Sequence, residues 1–520
     1  MAHGAQPVGA RAGAGVALAL VLLTLGTLAA VALRASSGVS WEPGDWAALR
    51  FTLLQALLSA AFSVALAVPV ARALARRRFP GRRLLIALMG APFILPVIVA
   101  VFGLLAVFGH GGLLNGALAA LGLPTVSIYG LHGVVLAHVF FNLPLGVRLI
   151  LQGWQGIPAE RFRLAAALGF SAGDIARQIE RPMLREVVPG TALAIFLICL
   201  TSFAVAITLG GGPRATTLEL AIYQAFRFDF DLGRAAMLAA VQFGVCAVGA
   251  ALAATLTLPQ ATAVGLDRRV ERWDAEAPVL KLQDALLTGL AALFLLLPLA
   301  LIVAQGLPRL FALPGLVWIA ALRSLAVALA SALVCTGAAL ALALGVLARP
   351  RLGRWLEGVG ILPLAASPLV LGTGLFLLID PVADPAALAL PVTALSNAAM
   401  ALPFALRALL PPLREIEAGY GRLADALGMS GGARLRLLIL PRLRAPLGFT
   451  LGLAAALSMG DLGVIALFAA PGEATLPLQL YRLMGAYRMA DAAGAALLLL
   501  ILSFGLFWIF DRGGHSDADA

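Results

Sequence analysis

The chain has 520 residues, of which 61% are apolar and only 12% charged, with a mean hydropathy of +0.98. Soluble domains carry about 25% charged residues, so this composition excludes a water-clothed globular protein, a disordered chain and a disulfide scaffold, and it leaves a membrane protein. The formal net charge of +11 would suit a nucleic-acid partner, but the placement of the arginines accounts for it without one.

A bilayer core of about 30 Å needs roughly 20 apolar residues of helix. In chain order the runs that qualify are 16–33, 51–74, 84–108, 128–152, 187–209 and 235–257, then 284–305, 318–347, 356–380, 386–411, 446–470 and 490–510. The expected fold is therefore an all-α polytopic membrane protein of about twelve transmembrane helices. Pro92, Pro96, Pro363 and Pro368 are expected to kink the third and ninth runs rather than end them, because the apolar pattern continues past each. The first run, after Arg11 and before Arg34, is too long for the apolar part of a signal peptide and reads as an uncleaved span. With both termini inside, 28 of the 37 Lys and Arg fall in cytoplasmic segments and nine outside. That is a strong positive-inside bias, and it explains the basic charge by topology.

Cys199, Cys246 and Cys335 lie far apart inside apolar runs, and His3, His110, His132, His138 and His515 show no ligand spacing, so no metal site or disulfide frame is expected. The single lysine, Lys281, follows no glycine-rich phosphate loop, and Gly210 to Gly212 reads as a tight turn. ATP chemistry is not expected on this chain.

The two halves repeat. At an offset of 259, Pro144 matches Pro403, Arg148 matches Arg407, Arg163 matches Arg422, Gly169 matches Gly428, Ser171 matches Ser430 and Pro182 matches Pro441. The division expected is a first repeat over 1–258, a linker over 259–283 and a second repeat over 284–520. The best-matched stretch in each is a cytoplasmic loop, at about 155–186 and 412–445. Ala159 to Leu168 lacks Pro and Gly and predicts a short helix, with Gly169 left-handed at its end. Ser171 and Asp174 then predict a capping box, and Pro182 marks re-entry to the membrane.

These loops resemble those of ABC importer membrane subunits, in which an E-A-A-x3-G-x9-I-x-L-P loop docks on a separate ATPase. The first copy is Arg163, Leu164, Ala165, then Gly169, Ile179 and Pro182. The second is Arg422, Leu423, Ala424, then Gly428, Leu438 and Pro441. Arginine stands where the motif has glutamate in both, so the resemblance does not extend to a carboxylate contact there. It implies a type I ABC importer permease fold, two tandem six-helix repeats in one chain, and twin ATPase-coupling loops.

An ionisable residue inside a span is costly and so a functional candidate. Asp461, in Ser458 to Gly463, is the main one; it reads either as facing a substrate pathway or as satisfied by local backbone amides. Asn142 and His138 form a weaker polar face, better read as interhelical hydrogen bonds. Thr217 to Tyr223 recurs as Thr475 to Tyr481, a pair of exterior segments suited to a delivery protein, a gate or the bilayer interface. The stretches His138 to Pro144, Leu209 to Gln224 and Gly460 to Phe468 look like the permeases of bacterial thiamine and thiamine-pyrophosphate ABC importers. That resemblance implies an inner-membrane permease with both termini cytoplasmic. It further implies a periplasmic thiamine-binding protein and a dedicated ATPase, expected as a homodimer, that carries the ATP and magnesium. The alternatives are a ferric-iron ABC importer permease and, from another class, an ion-coupled secondary transporter.

Overall fold

The computed structural model of the protein describes residues 9–35, 41–90, 94–212, 215–255, 273–470 and 472–514. Among them every regular element is a helix. In so apolar a chain this follows from the solvent: a bilayer core offers no water, so a lone spanning segment must satisfy its own backbone N–H and C=O groups.

The first half runs α1 (Ala10–Ala35), α2 (Pro43–Arg76), α3 (Arg82–Leu88), α4 (Val97–Phe108), α5 (Leu113–Ala120), α6 (Leu131–Gly156), α7 (Ala159–Ala167), α8 (Ala172–Ile175), a π-helical turn (Ala176–Glu180), α9 (Arg181–Leu200), α10 (Phe203–Leu209), α11 (Leu218–Arg227) and α12 (Leu232–Thr255). The second half runs α13 (Pro278–Gly306), α14 (Gly315–Ala348), α15 (Pro350–Ile361), α16 (Pro368–Ile379), α17 (Ala389–Ala426), α18 (Gly431–Arg434), a second π-helical turn (Leu435–Ile439), α19 (Leu440–Arg442), α20 (Arg444–Met459), α21 (Gly463–Phe468), α22 (Leu476–Gly485) and α23 (Met489–Gly514). The tandem repeat is visible element by element. Both α2 and α14 have 34 residues, and both α11 and α22 have 10.

Eleven helices among the described residues are long and apolar enough to cross a membrane, and α16 is a shorter apolar helix at the place of the expected ninth span. The expected kinks are breaks instead. Pro96 caps α4 from an extended ψ of 132°, Pro363 sits in a 3-10 turn over Leu362–Ala365, and Pro368 opens α16 behind Ser367. Proline removes a backbone donor and pushes the preceding residue out of the helical region, and of these breaks the one at Pro368 carries a side-chain cap. At Ser367 the hydroxyl accepts from Val370 N–H at 3.1 Å. Pro92, His3, His515 and much of the expected linker lie outside the described residues. The fifth run also divides, into α9 and α10. In the second half α17 runs on past the expected end at 411, through Pro411 and Pro412 to Ala426. The first half stops at Gly156 because Pro158 holds Ile157 extended; Glu417 occupies the matching position and lets α17 continue.

The two halves exchange their first helices. α1 packs on α12 of its own half and on α14 and α16 of the other; α13 packs on α23 of its own half and on α2 and α4 of the other. A buried charge cluster pins the second crossing. Asp284 of α13 receives Arg76 Nε at 2.7 Å and Arg76 Nη2 at 2.6 Å, and Arg77 Nε at 2.6 Å. Arg77 also donates to the Ala275 carbonyl at 2.6 Å. Both arginines end α2, where the helix dipole favours positive charge. Removing the carboxylate leaves two guanidiniums buried against each other, which costs about 3–5 kcal/mol. Asp284→Ala is therefore expected to unfold several degrees below wild type in a detergent thermal melt, and an unchanged melting temperature would show that the crossing does not depend on this ion cluster.

Candidate coupling loops and polar groups between the helices

The two loops end their first helix in the same way. Gly169 has φ 68° and Gly428 φ 64°, the left-handed region that glycine enters without a Cβ penalty. Phe170 N–H reaches back to the Ala165 carbonyl and Met429 N–H to the Ala424 carbonyl, both at 2.9 Å, which is the Schellman closure of a helix end. Both chains then widen into a five-residue π turn before Pro182 and Pro441. A proline has no N–H for the carbonyl four residues back and collides with it, so the wider turn is the local accommodation, and it falls at the same place in both copies.

The burial pattern is shared as well. Ala165 and Ala424 are buried, as are Ile179 and Leu438, while Arg163 and Arg422 are exposed. Leu164 and Leu168 are 61% and 62% exposed, and Leu423 and Leu427 are 57% and 68% exposed. Each loop thus presents two leucines and an arginine outward on a helix end whose other face is packed, the short α7 in the first copy and the last turns of the long α17 in the second.

The anchors differ. In the first loop Ser171 caps α8, accepting from Asp174 N–H at 3.3 Å while Asp174 accepts from Ser171 N–H at 3.1 Å, as the capping-box reading expects. Glu180, 2% exposed, pairs with Arg72 of α2 at 2.8 Å and accepts from Trp154 Nε1 at 3.2 Å. In the second loop Ser430 makes no side-chain cap, and Arg434 instead pairs with Asp425 at 2.7 Å and with Glu417.

The polar residues singled out in the spans fall into two groups, with no hydrogen bond joining them among the described residues. His138 and Asn142 knit α6 to its neighbours: Ser59 Oγ of α2 lies 3.1 Å from His138 Nδ1, and Asn142 Nδ2 donates to the His138 carbonyl at 2.9 Å and to Cys199 Sγ of α9 at 3.4 Å. The equivalent tie in the second half runs from Asn397 Nδ2 to Ser458 Oγ at 2.9 Å. Asp461 sits in the gap between α20 and α21. Its Oδ1 accepts from Gly463 N–H at 3.2 Å, and the amides of Val464 and Ile465 and the Asn397 side chain also face it. Its Oδ2 has no hydrogen-bond partner. The three cysteines are buried and free, and no group of three potential metal ligands occurs among the described residues.

No family model matches the chain. It is, however, 42% identical over 524 residues to the thiamine transport system permease protein ThiP of Salmonella typhimurium, with 96% of each chain covered. To the ThiP of Escherichia coli it is 43% identical over 507 residues, covering 93% of this chain and 94% of that one. The chain belongs to this permease family. To the ThiP of Brucella abortus it is 38% identical over 530 residues, covering 99% and 97%. The molybdenum transport permease ModB of Mycobacterium bovis, 31% identical over 260 residues, aligns with 49% of this chain but 95% of its own length. A whole permease of that kind corresponds to one half here, as a fused repeat requires.

Sequence reasoning did not find Glu180 or Glu219. Glu180 lies in the loop motif itself, masked by its basic neighbours. Glu219 lies in a segment assigned to the exterior, where a carboxylate draws no notice; its fully buried side chain is visible only in the fold.

A Cβ added at Gly169 or Gly428 would meet nothing within 4 Å, so the penalty for a side chain there is purely that of the left-handed backbone, about 1–2 kcal/mol for each. The Gly169→Val and Gly428→Val double variant is expected to insert normally and to be nicked by protease within the two loops faster than wild type; equal rates would show that the turns do not hold the loops.

Proposed function

We propose that the chain is the membrane subunit of an ATP-driven, binding-protein-dependent importer of thiamine and its phosphates in the bacterial inner membrane, both halves of the pathway lying in one polypeptide. The observation that carries this reading is the pair of loops that share a left-handed glycine turn, a π turn and one exposed leucine–arginine face. The exposed leucines are apolar surface awaiting a partner, and a partner that meets both loops alike is a pair of identical ATPase subunits. ATP and magnesium belong to those subunits. The relatives' shared name points to thiamine, and no relative compared above points to ferric iron.

In this reading the loops over about 155–186 and 412–445 and both termini face the cytoplasm, and the two repeats, 1–258 and 284–520 with a linker between, are the two halves of the gate. Arg163, Leu164, Ala165 and Gly169 with Ile179 and Pro182 form one lever, and Arg422, Leu423, Ala424 and Gly428 with Leu438 and Pro441 form the other. Closure of the ATPase dimer moves the levers; ATP favours one state of the pore because the loops contact the ATPase differently in the two states. Asp461, whose Oδ2 has no hydrogen-bond partner, is the candidate to meet cargo in the second half, and His138 and Asn142 serve helix packing.

Reconstitution with the ATPase and the thiamine-binding protein tests this. Leu164→Asp together with Leu423→Asp is expected to cut ATP-dependent thiamine uptake at least tenfold while the chain still inserts. Thiamine uptake by liposomes holding this chain alone, with no ATPase, would overturn the reading.

A further inference from the structure

The short helix α11 begins well inside the helix bundle. Leu218 N–H donates to Thr52 Oγ1 of α2 at 2.8 Å, and α22 repeats the tie, with Leu476 N–H donating to Ser324 Oγ of α14 at 2.7 Å. Thr52 is nine residues from the start of α2, about 14 Å along its axis and level with the outer end of the span expected over 51–74, so α11 starts at that level, buried among the helices, and rises toward the Pro43 end of α2. Glu219, Tyr223 and Arg227, spaced by four, share one face of it.

That face looks toward the second half. Phe226 packs on Phe376 of α16 with ring centroids 4.5 Å apart, and Arg227 Nη2 donates to the Ala469 carbonyl beyond α21 at 3.1 Å. Tyr223 interacts electrostatically with Arg227 and with Arg482 of α22, and Tyr481 with Tyr223. Glu219 is fully buried, and neither of its carboxylate oxygens closes a hydrogen bond; Ser367 and Gln242 are polar side chains that face it. Burial, and then the like charge of Arg227, hold the Arg482 guanidinium below its usual pKa, with Tyr223 acting in the opposite sense.

A purely structural cluster would pair its acid with its bases. Here the helix keeps Glu219 and Arg227 two turns, about 12 Å, apart, with tyrosines between them. The seam is closed in this structure, with a buried carboxyl group, its pKa pushed up to about 7 by burial, at one end and two arginines, one from each half, at the other. An acid fully buried with no cation beside it is costly to charge, and groups of this kind cluster at functional sites.

We propose that this seam is the outer part of the cargo path: Glu219 receives a cationic aromatic ring, Tyr223 and Tyr481 flank it, and Arg227 with Arg482 takes the phosphate of a phosphorylated cargo. Thiamine offers the ring, and thiamine diphosphate offers both. Tyrosine faces attract cations, and guanidinium pairs suit phosphate geometry. The assignment rests on the transporter reading above.

The test is uptake of labelled thiamine and of labelled thiamine diphosphate by liposomes holding the full complex with its binding protein in excess. Glu219→Gln is expected to lower thiamine uptake at least tenfold; wild-type uptake would overturn the cation site. If that variant does not assemble, Glu219→Asp is measured instead, with the half-saturating concentration of loaded binding protein expected to rise at least threefold, and no rise overturns the site equally. The Arg227→Gln and Arg482→Gln double variant is expected to lower the ratio of diphosphate to thiamine uptake at least tenfold. An unchanged ratio, or a wild-type complex that carries thiamine but rejects the diphosphate, overturns the phosphate site. A wild-type complex that carries neither cargo overturns the transporter reading itself, and the seam assignment falls with it.

Discussion

Two arginines that would repel each other are held together by Asp284, and the exchanged helix α13 hangs on that contact. In lipid, burial of apolar surface does little to bring helices together, because the acyl chains are as apolar as leucine. Close approach of small residues and polar ties must do it. The crossing of α1 uses the first: a Cβ on Gly13 would come within 2.7 Å of Gly345 Cα, and one on Gly345 within 2.9 Å of Gly13 Cα. The crossing of α13 uses the second. Each half is thereby gripped by the opening helix of the other, and the two-fold arrangement of loops, seams and broken helices follows from that embrace.

The broken helices obey the same accounting of polar groups. Every interruption at bilayer depth frees backbone donors that no water can meet. Thr52, Ser324 and Ser367 each offer a hydroxyl oxygen to such a donor, at Leu218, Leu476 and Val370. Thr52 and Ser324 sit where a neighbouring helix begins and Ser367 where its own does, and the first two ties hold the starts of α11 and α22 in the bundle.

Much of this was legible in the sequence. Spans announce themselves by length and hydropathy, and the repeat by a constant offset through Gly169 and Gly428, because backbone geometry at those turns admits few residues. The breaks at Pro96 and Pro368 were not legible, since an apolar run looks the same whether a proline bends the helix or restarts it. The exchange of α1 and α13 left no local signal, being a matter of which neighbour each helix prefers. Glu219 was hidden by topology: in a segment read as exterior a carboxylate is unremarkable, and only the fold reveals that it is fully buried. The difference between Pro158 and Glu417 was visible, but its effect, a helix running unbroken from Ala389 to Ala426, depends on a backbone choice that one residue decides.

The two loops rest on unlike footings. Glu180 locks the first to α2 and to Trp154 through directional bonds, whereas the positions matching Glu180 and Trp154 in the second copy are Ile439 and Leu413, buried among other apolar side chains. Ionic clasps resist sliding and then let go, while greasy contacts yield by degrees. In the proposed reading, a motor of two identical subunits meets a stiff arm and a compliant one, and its stroke would acquire a sequence, one side leading, that a pore assembled from two copies of a single gene product could not possess.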